Sequence, residues 1–391
     1  MRVCVVAEYY PRRHDPARGI WAHEQALAAA RAGADVRVLV LHRPIPPRSA
    51  MTSVRTAARG MRDAIGQPAR EQLDGLDVRY VRYVSPPRPR SYAYWGAWAA
   101  PALGRALRSL RQEFAYDLIH AHYAVPAGDA VRRVASQSPL VISVHGGDVL
   151  GTALRSAAGE RSVRKALGHA RGVLANSADT ARRCDSYGAR ATRVVHLGTD
   201  LPDAPAPPAA QPTLVTVANL IARKRHTDVI AALWLLRDRH PDLRYVIVGD
   251  GPERDNLARH AAQLGIADRV QLRGQLPPAL ARDAARAATV FVMPSVDEAF
   301  GVAYIEAMAG WVPAIGCVGE GGPEEIASVG DGLRRVPPGD AEALAAEVDA
   351  LLADERQRRE LGDAARRTVE RAFTWEGCGA ATVAAYEDAL A

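Results

Sequence analysis

The chain has 391 residues, 48% hydrophobic and 24% charged, with 50 Lys and Arg against 44 Asp and Glu. That length exceeds one ordinary core and predicts two or three domains, and that apolar content excludes a disordered chain. A net charge of +6 fits anionic small molecules or an anionic lipid surface; without a sustained basic stripe interleaved with aromatics it argues against nucleic acid.

The chain opens on an apolar strand, RVCVVAE, so no signal peptide is read, and no apolar run approaches the ~18 residues of a membrane span. Cys4, Cys184, Cys317 and Cys378 are scattered without metal-ligand spacing. A reduced, cytoplasmic setting is expected. Strand-like runs DVRVLVL, DLIHAHY, LVISVHG and VLANS follow, separated by helical patterns such as WAHEQALAAARAG, DAVRRVASQ and ERSVRKALGHA. Near-continuous apolar strands between helices predict a parallel sheet covered on both faces.

Along this first half, Arg18 and Gly19 lie in the loop before the first helix, where backbone N–H groups can meet an anion. The segment from Arg88, RPRSYAYWGAWAAPALGRALRSLRQEF, mixes arginines with Tyr92, Tyr94, Trp95 and Trp98. It reads either as a membrane-surface or acceptor-lining element, or as a core helix with snorkelling arginines; the second is favoured because amphipathic helices usually pack inward. HGGDVL, from His145, follows the buried strand LVISV, at the strand end where such sheets carry function. Its glycines would let a ligand approach the backbone, but a glycine-rich turn with His145 packed and hydrogen-bonded is an equal reading.

LPDAPAPPAAQP, residues 201–212, reads as a semi-rigid linker. The alternation then restarts with TLVTVA, RYVIVG, VQLRG, VFVMPS and VPAIGC, predicting a second doubly wound domain. The expected organisation is an N-terminal domain over 1–200, the linker over 201–212, a C-terminal domain over 213–372 and a last helix over 373–391 that crosses back to cap the first domain. Two such domains would face each other across a ligand-binding cleft.

Three second-half motifs bear on chemistry. Arg223, Lys224 and Arg225 in ANLIARKRH form a positive cluster at a strand end, either a phosphate site or a solvated turn. The only lysines are Lys165 and Lys224, unusual choices in an arginine-rich background. VGDGPERDNL resembles a dinucleotide fingerprint, but Arg254 stands where the third glycine belongs, so a tight strand-to-helix turn is favoured. MPSVDEAFGVAYIEAMAGWVP is the most informative stretch: Glu298 sits in the loop after a buried strand, Phe300, Gly301 and Val302 open a helix, and Glu306 lies one to two turns in. Such a helix start offers unpaired N–H donors to an anion between two carboxylates that suit hydroxyls, as a phosphorylated sugar requires. Acidic residues that merely favour the helix dipole are the plainer reading.

Taken in order along nearly the whole chain, these motifs resemble the family-4 retaining glycosyltransferases (glycosyltransferase group 1). The glycine loop at Gly19, DLIHAHYAVPAG, HGGD, VLANS, VVHLGTD, the lysine turn, VGDGPERDNL, SVDEAFGVAYIEAMA and GEGGPEEI all contribute, and Glu298-x7-Glu306 is the most specific. The resemblance implies the GT-B fold, two Rossmann-like α/β domains facing across a cleft. It implies transfer of a hexose from a UDP or GDP type nucleotide-diphosphate sugar to a hydroxyl of a glycan, glycolipid or natural product, without a metal. It also implies that Lys224 binds the donor diphosphate, with Gly19 contacting it from the first domain. Glu298 would hold the transferred sugar's hydroxyls, Phe300, Gly301 and Val302 would supply amides, Glu306 would hold the ribose, and His145 would lie near the sugar.

Two positions depart from the family pattern. Asn219 stands where an arginine is usual five residues before the lysine, which would shift diphosphate neutralisation onto Arg223 or Arg225; Trp311 stands where a glycine is common. A nucleotide-sugar epimerase of the same build and a catalytically silent nucleotide-sugar-binding subunit stay open as alternatives. So does peripheral contact with the inner face of a membrane and with a lipid-linked acceptor.

Overall fold

The computed structural model describes residues 1–45, 54–207 and 209–391. The chain divides into two units, Met1–His196 together with Trp375–Ala391, and Leu197–Thr374. The last helix, Trp375–Leu390, therefore belongs to the first unit, where it packs on helix Ile20–Arg31. The proline-rich segment 201–212 falls within the second unit, where Arg286 Nη2 donates to Asp200 O at 2.6 Å and Arg366 Nη1 to Pro202 O at 2.8 Å.

The first unit holds β1 (Arg2–Ala7), β2 (Asp35–His42), β3 (Arg70–Leu73), β4 (Leu76–Arg82), β5 (Leu118–His122), β6 (Leu140–Val144), β7 (Gly172–Ala175) and β8 (Thr192–Val194). They form one sheet in the order β3-β4-β2-β1-β5-β6-β7-β8. Every pairing is parallel except β3 with β4, an antiparallel edge hairpin. The strands read from the apolar runs pair in parallel as expected, and this hairpin adds an antiparallel strand at the edge. Asp74 (φ 49°) and Gly75 (φ 87°) make the two-residue left-handed turn that joins them.

One face of this sheet is covered by helix Trp95–Glu113, which buries Trp95, Leu103, Leu107 and Leu110 and leaves Tyr94 and Trp98 half exposed. The segment from Arg88 is thus mainly a core element. Side chains of Pro89 and Arg90 lie outside what the structure describes. The opposite face packs Ala22, Ala26, Cys378, Tyr386 and Ala389 from helices Ile20–Arg31 and Trp375–Leu390. All four cysteines are buried free thiols.

The second unit holds β9 (Thr213–Val217), β10 (Arg244–Val248), β11 (Val270–Gly274), β12 (Val290–Val292), β13 (Ala314–Cys317) and β14 (Leu333–Val336), all parallel, in the order β11-β10-β9-β12-β13-β14. Strand order reverses between β9 and β12 here, and between β1 and β5 in the first sheet. Open α/β sheets bind ligands outside the carboxyl ends of the strands at such a reversal, because the two connecting loops diverge there and leave a crevice.

Candidate active site

In the second unit the loops leaving β9 and β12 carry Lys224 and Glu298. Lys224 ends a short 3-10 turn, Ala222–Lys224, and Glu298 lies six residues past β12. The Lys224 ammonium donates to Glu298 Oε2, and both side chains are buried. Ser295 Oγ donates to the same oxygen at 2.9 Å, and Arg223 Nη1 lies 3.6 Å from it. Burial alone would raise the Glu298 carboxyl; Lys224, Arg223 and Ser295 outweigh it and hold the group below its ordinary value. Burial pulls the Lys224 ammonium below its ordinary value, with Glu298 opposing.

The backbone at this pair is held under tension. Arg225 and Asp297, immediate neighbours of the two charged residues, adopt φ of 52° and 53°. Left-handed backbone in residues other than glycine costs about 1–2 kcal/mol each, and it persists where surrounding contacts over-determine it. Those contacts are visible: Val296 N donates to Arg223 O at 2.9 Å, and Arg223 Nη1 donates back to Asp297 O at 3.3 Å. Glu298 N donates to Glu320 Oε2 at 3.0 Å, and Gly322 N to Glu298 O at 2.8 Å. Gly322 is required there, because a Cβ on it would stand 2.1 Å from Phe300 O.

The basic run divides its labour. Arg225 is tied to Asp228 at 2.6 Å, Lys224 to Glu298, and Arg223, 40% exposed at its side chain, keeps the outer position. Asn219 is exposed, and its carbonyl accepts from His226 Nε2 at 3.3 Å. Gly301, at φ 83°, caps helix Val302–Met308, in which Tyr304 is buried and Glu306 half-buried; Phe300 is buried. The turn Val248–Leu257 proves to be close backbone packing: a Cβ on Gly249 would stand 1.9 Å from Ala218 O, and one on Gly251 2.4 Å from Leu220 O. These glycines let the β9 and β10 loops touch.

In the first unit Gly19 (φ 62°) caps helix Ile20–Arg31 and lies so close to the end of β1 that a Cβ would stand 2.2 Å from the Tyr9 carbonyl carbon. Beside it Glu8 is buried and receives Arg88 Nη2 at 3.0 Å, Tyr92 OH at 2.8 Å and Arg18 at 3.7 Å. His145, just past β6, hydrogen-bonds His122 at 3.0 Å between Nε2 and Nδ1, and the two rings stack with an interplanar angle of 2°. Burial lowers His145 to about 3, so its ring is neutral at pH 7 and acts through hydrogen bonds. Asp148 is fully buried with Oδ1 accepting from Val125 N at 3.3 Å; burial, against backbone N–H donors of Val125 and Ala124, pushes it up to about 8.

Of the sequence-predicted residues, Lys224, Glu298 and Arg223 converge, with Phe300, Gly301, Val302 and Glu306 on the continuation of the same loop. Asn219 follows β9, while Gly19 and His145 belong to the first unit. Sequence reasoning passed over Ser295, Glu320 and Gly322 in the second unit and Glu8 and His122 in the first, whereas Asp148 is the aspartate of the HGGD turn it singled out. Glu320 and Gly322 lay within the quoted GEGGPEEI, and His122 in DLIHAHY; what no spacing rule supplied was the contact across loops.

Two α/β units of this topology, the second with a cation–carboxylate pair at its strand-order reversal, have the architecture of the GT-B fold. The family model described as "Glycosyl transferases group 1" matches residues 199–368, and that described as "Glycosyltransferase Family 4" matches residues 19–202. The two matches together span residues 19–368, and the chain belongs to the family they describe, the family-4, group 1 glycosyltransferases. It is 27% identical over 389 residues, 95% of each chain, to the putative teichuronic acid biosynthesis glycosyltransferase TuaC of Bacillus subtilis. It is 29% identical to the 2-deoxystreptamine N-acetyl-D-glucosaminyltransferase of Streptomyces fradiae, across 87% of this chain and 89% of that one. In fold it is similar to the sucrose-phosphate synthase of Thermosynechococcus elongatus, with a TM-score of 0.79, 22% identity and 99% and 98% of the two chains covered. The Anabaena HepE structure with UDP and glucose gives 0.72, 18% identity and 99% of each chain.

Proposed function

We propose that the chain is a retaining hexosyltransferase that moves a hexose from a UDP or GDP type sugar to an acceptor hydroxyl without a metal. The observation that carries this reading is the buried contact of Lys224 with Glu298, flanked by Arg223. An arriving diphosphate competes with Glu298 for the ammonium. Lys224 and Arg223 then offset the charge that develops on the leaving phosphate, which is mainly an electrostatic task in phosphate departure. Glu298, released toward the sugar, accepts from its hydroxyls. The amides at Phe300, Gly301 and Val302 support sugar and phosphate, and Glu306 holds the ribose hydroxyls. Gly19 lets first-unit backbone approach the diphosphate, Asn219 stays in the donor loop without adding charge, and His145 offers a neutral hydrogen-bonding ring to the sugar.

Transfer proceeds on one face of the sugar. The bond from the anomeric carbon to the phosphate oxygen breaks, the acceptor oxygen bonds to the same face, and the acceptor proton passes to the departing phosphate oxygen. For the acceptor, the names of relatives span a teichuronic acid, a phosphatidylinositol mannoside and 2-deoxystreptamine, which supports a glycan, glycolipid or natural-product hydroxyl.

A thermal-shift screen of nucleoside diphosphate sugars identifies the donor, since ligand binding stabilises by mass action. NMR of the product formed in the presence of a chelator then reads its anomeric configuration. Retention with undiminished turnover is expected, and an inverted product sinks the proposal. Turnover of donor alone to an epimer would assign the site to epimerisation instead. Full cellular function of Glu298→Gln would assign it to a silent binding subunit.

A further inference from the structure

Helix Val54–Ile65, VRTAARGMRDAI, in the first unit is amphipathic, yet no residue of it is buried. At 3.6 residues per turn Val54, Ala58, Met61 and Ile65 form one stripe, and Arg55, Arg59 and Arg62 a second stripe beside it. The apolar stripe faces out: Val54 is 88% exposed, Ile65 55% and Met61 37%. The opposite side, with Ala57, Gly60, Asp63 and Ala64, is half-buried.

Polar contacts hold the helix in this orientation. His42 Nε2 donates to Ala64 O at 2.7 Å, Arg82 Nη2 donates to Ile65 O at 2.9 Å, and Asp63 lies 4.0 Å from His14. Among the described residues no carboxylate pairs with Arg55, Arg59 or Arg62. A surface helix normally turns its apolar stripe to the core, since each buried aliphatic side chain gains roughly 1.5–3 kcal/mol. Here that gain is left unrealised along about 18 Å of helix.

We propose that helix Val54–Ile65 docks the enzyme on an anionic bilayer, with Val54, Met61 and Ile65 inserted at the headgroup boundary and Arg55, Arg59 and Arg62 on lipid phosphates. An outward apolar stripe edged by cations is the pattern that lies in a membrane interface. The charge argues against a second copy of the chain. A two-fold contact would set the three arginines of one helix against those of its mate, with only Asp63 to offset them. The inference stands apart from the proposed glycosyl transfer.

The test is co-sedimentation of the full chain with vesicles of phosphatidylcholine alone and of phosphatidylcholine mixed with phosphatidylglycerol. Binding to the mixed vesicles, weakened by salt, is expected. Met61→Glu with Ile65→Glu should lower the partition roughly tenfold or more. Arg55→Ser with Arg59→Ser and Arg62→Ser should remove the preference for the anionic lipid. Both variants should keep the native thermal midpoint, since the substituted side chains are exposed and the bonds from His42 and Arg82 go to backbone carbonyls. No sedimentation with the mixed vesicles, or equal sedimentation of the Met61, Ile65 variant, overturns the proposal. A native dimer that dissociates in that variant overturns it too and assigns the stripe to a second copy.

Discussion

Lys224 and Glu298, 74 residues apart in sequence, meet as a buried ion pair where the loops after β9 and β12 adjoin. Breaking such a pair leaves one charge buried without its partner, at a cost of about 3–5 kcal/mol. Lys224→Met and Glu298→Gln should each lower the stability of the second unit by that order, read as a shift of its urea midpoint. Their combination should cost less than the sum by about 1–3 kcal/mol, because neither charge is then orphaned. Additive losses would show that the two side chains do not share an ion pair in solution.

Acid should loosen the first unit. His120 is fully buried between Tyr386 OH at 2.7 Å and Ser143 Oγ at 2.8 Å, and burial lowers it to about 3 from an ordinary 6.5. The folded ring stays neutral while the unfolded chain takes up a proton below pH 6.5, so stability is fully present above that value and falls as pH drops toward 3. The slope is about 1.4 kcal/mol per pH unit for this histidine, and His122, lowered well below its ordinary value by burial and its histidine neighbours, acts in the same direction. Urea midpoints measured from pH 7 to 4 check this. His120→Asn should flatten the profile by one histidine's share, and a flat native profile contradicts the assignment.

Gly322 fixes the height of the Glu298 loop. With a Cβ placed 2.1 Å from Phe300 O and 2.4 Å from its carbonyl carbon, alanine there forces backbone apart. Gly322→Ala should cost about 1–3 kcal/mol of second-unit stability. Displacing Glu298 by some tenths of an ångström to an ångström should lower turnover by up to roughly 100-fold. Steady-state kinetics beside thermal melting decide the matter; unchanged turnover would mean that the loop is not held by this contact.

Much of the architecture was legible because fully buried parallel strands read as apolar runs, as in Val3–Val6 and Val38–Leu41. What escaped was local and polar. REQL of β3 carries no apolar alternation, and only the Asp74-Gly75 pair announced its hairpin. LRRV of β14 hides its two buried ends behind arginines. At the site, residue types at motif positions marked Lys224 and Glu298, but their bond and the brace from Glu320 depend on loops separated in sequence. Trp311 was marked as a departure from glycine; its φ of 61° shows why glycine suits the position, and Arg366 covers its ring at 4.3 Å.

The C-terminal helix should prove indispensable to the first unit rather than an appendage. Its Tyr386 bonds His120 from below the sheet, and Thr382 Oγ1 accepts from Gln25 Nε2 at 3.1 Å, both contacts buried. Gly379 lies against helix Ile20–Arg31 so closely that a Cβ would stand 2.3 Å from Ala28 O. Removing residues 375–391 would expose Ala22, Ala26 and Val141 and orphan the His120 and Gln25 partners, each orphan costing about 1–3 kcal/mol. That sum approaches the 5–15 kcal/mol stability of an ordinary domain. Truncation after Thr374 should therefore give an aggregated chain or one whose first unit is molten by near-ultraviolet circular dichroism. Gly379→Val, which keeps every polar partner, should lower the first unit's melting point without abolishing its folding. A truncated chain with native near-ultraviolet signal and melting point would show that the helix does not hold the sheet.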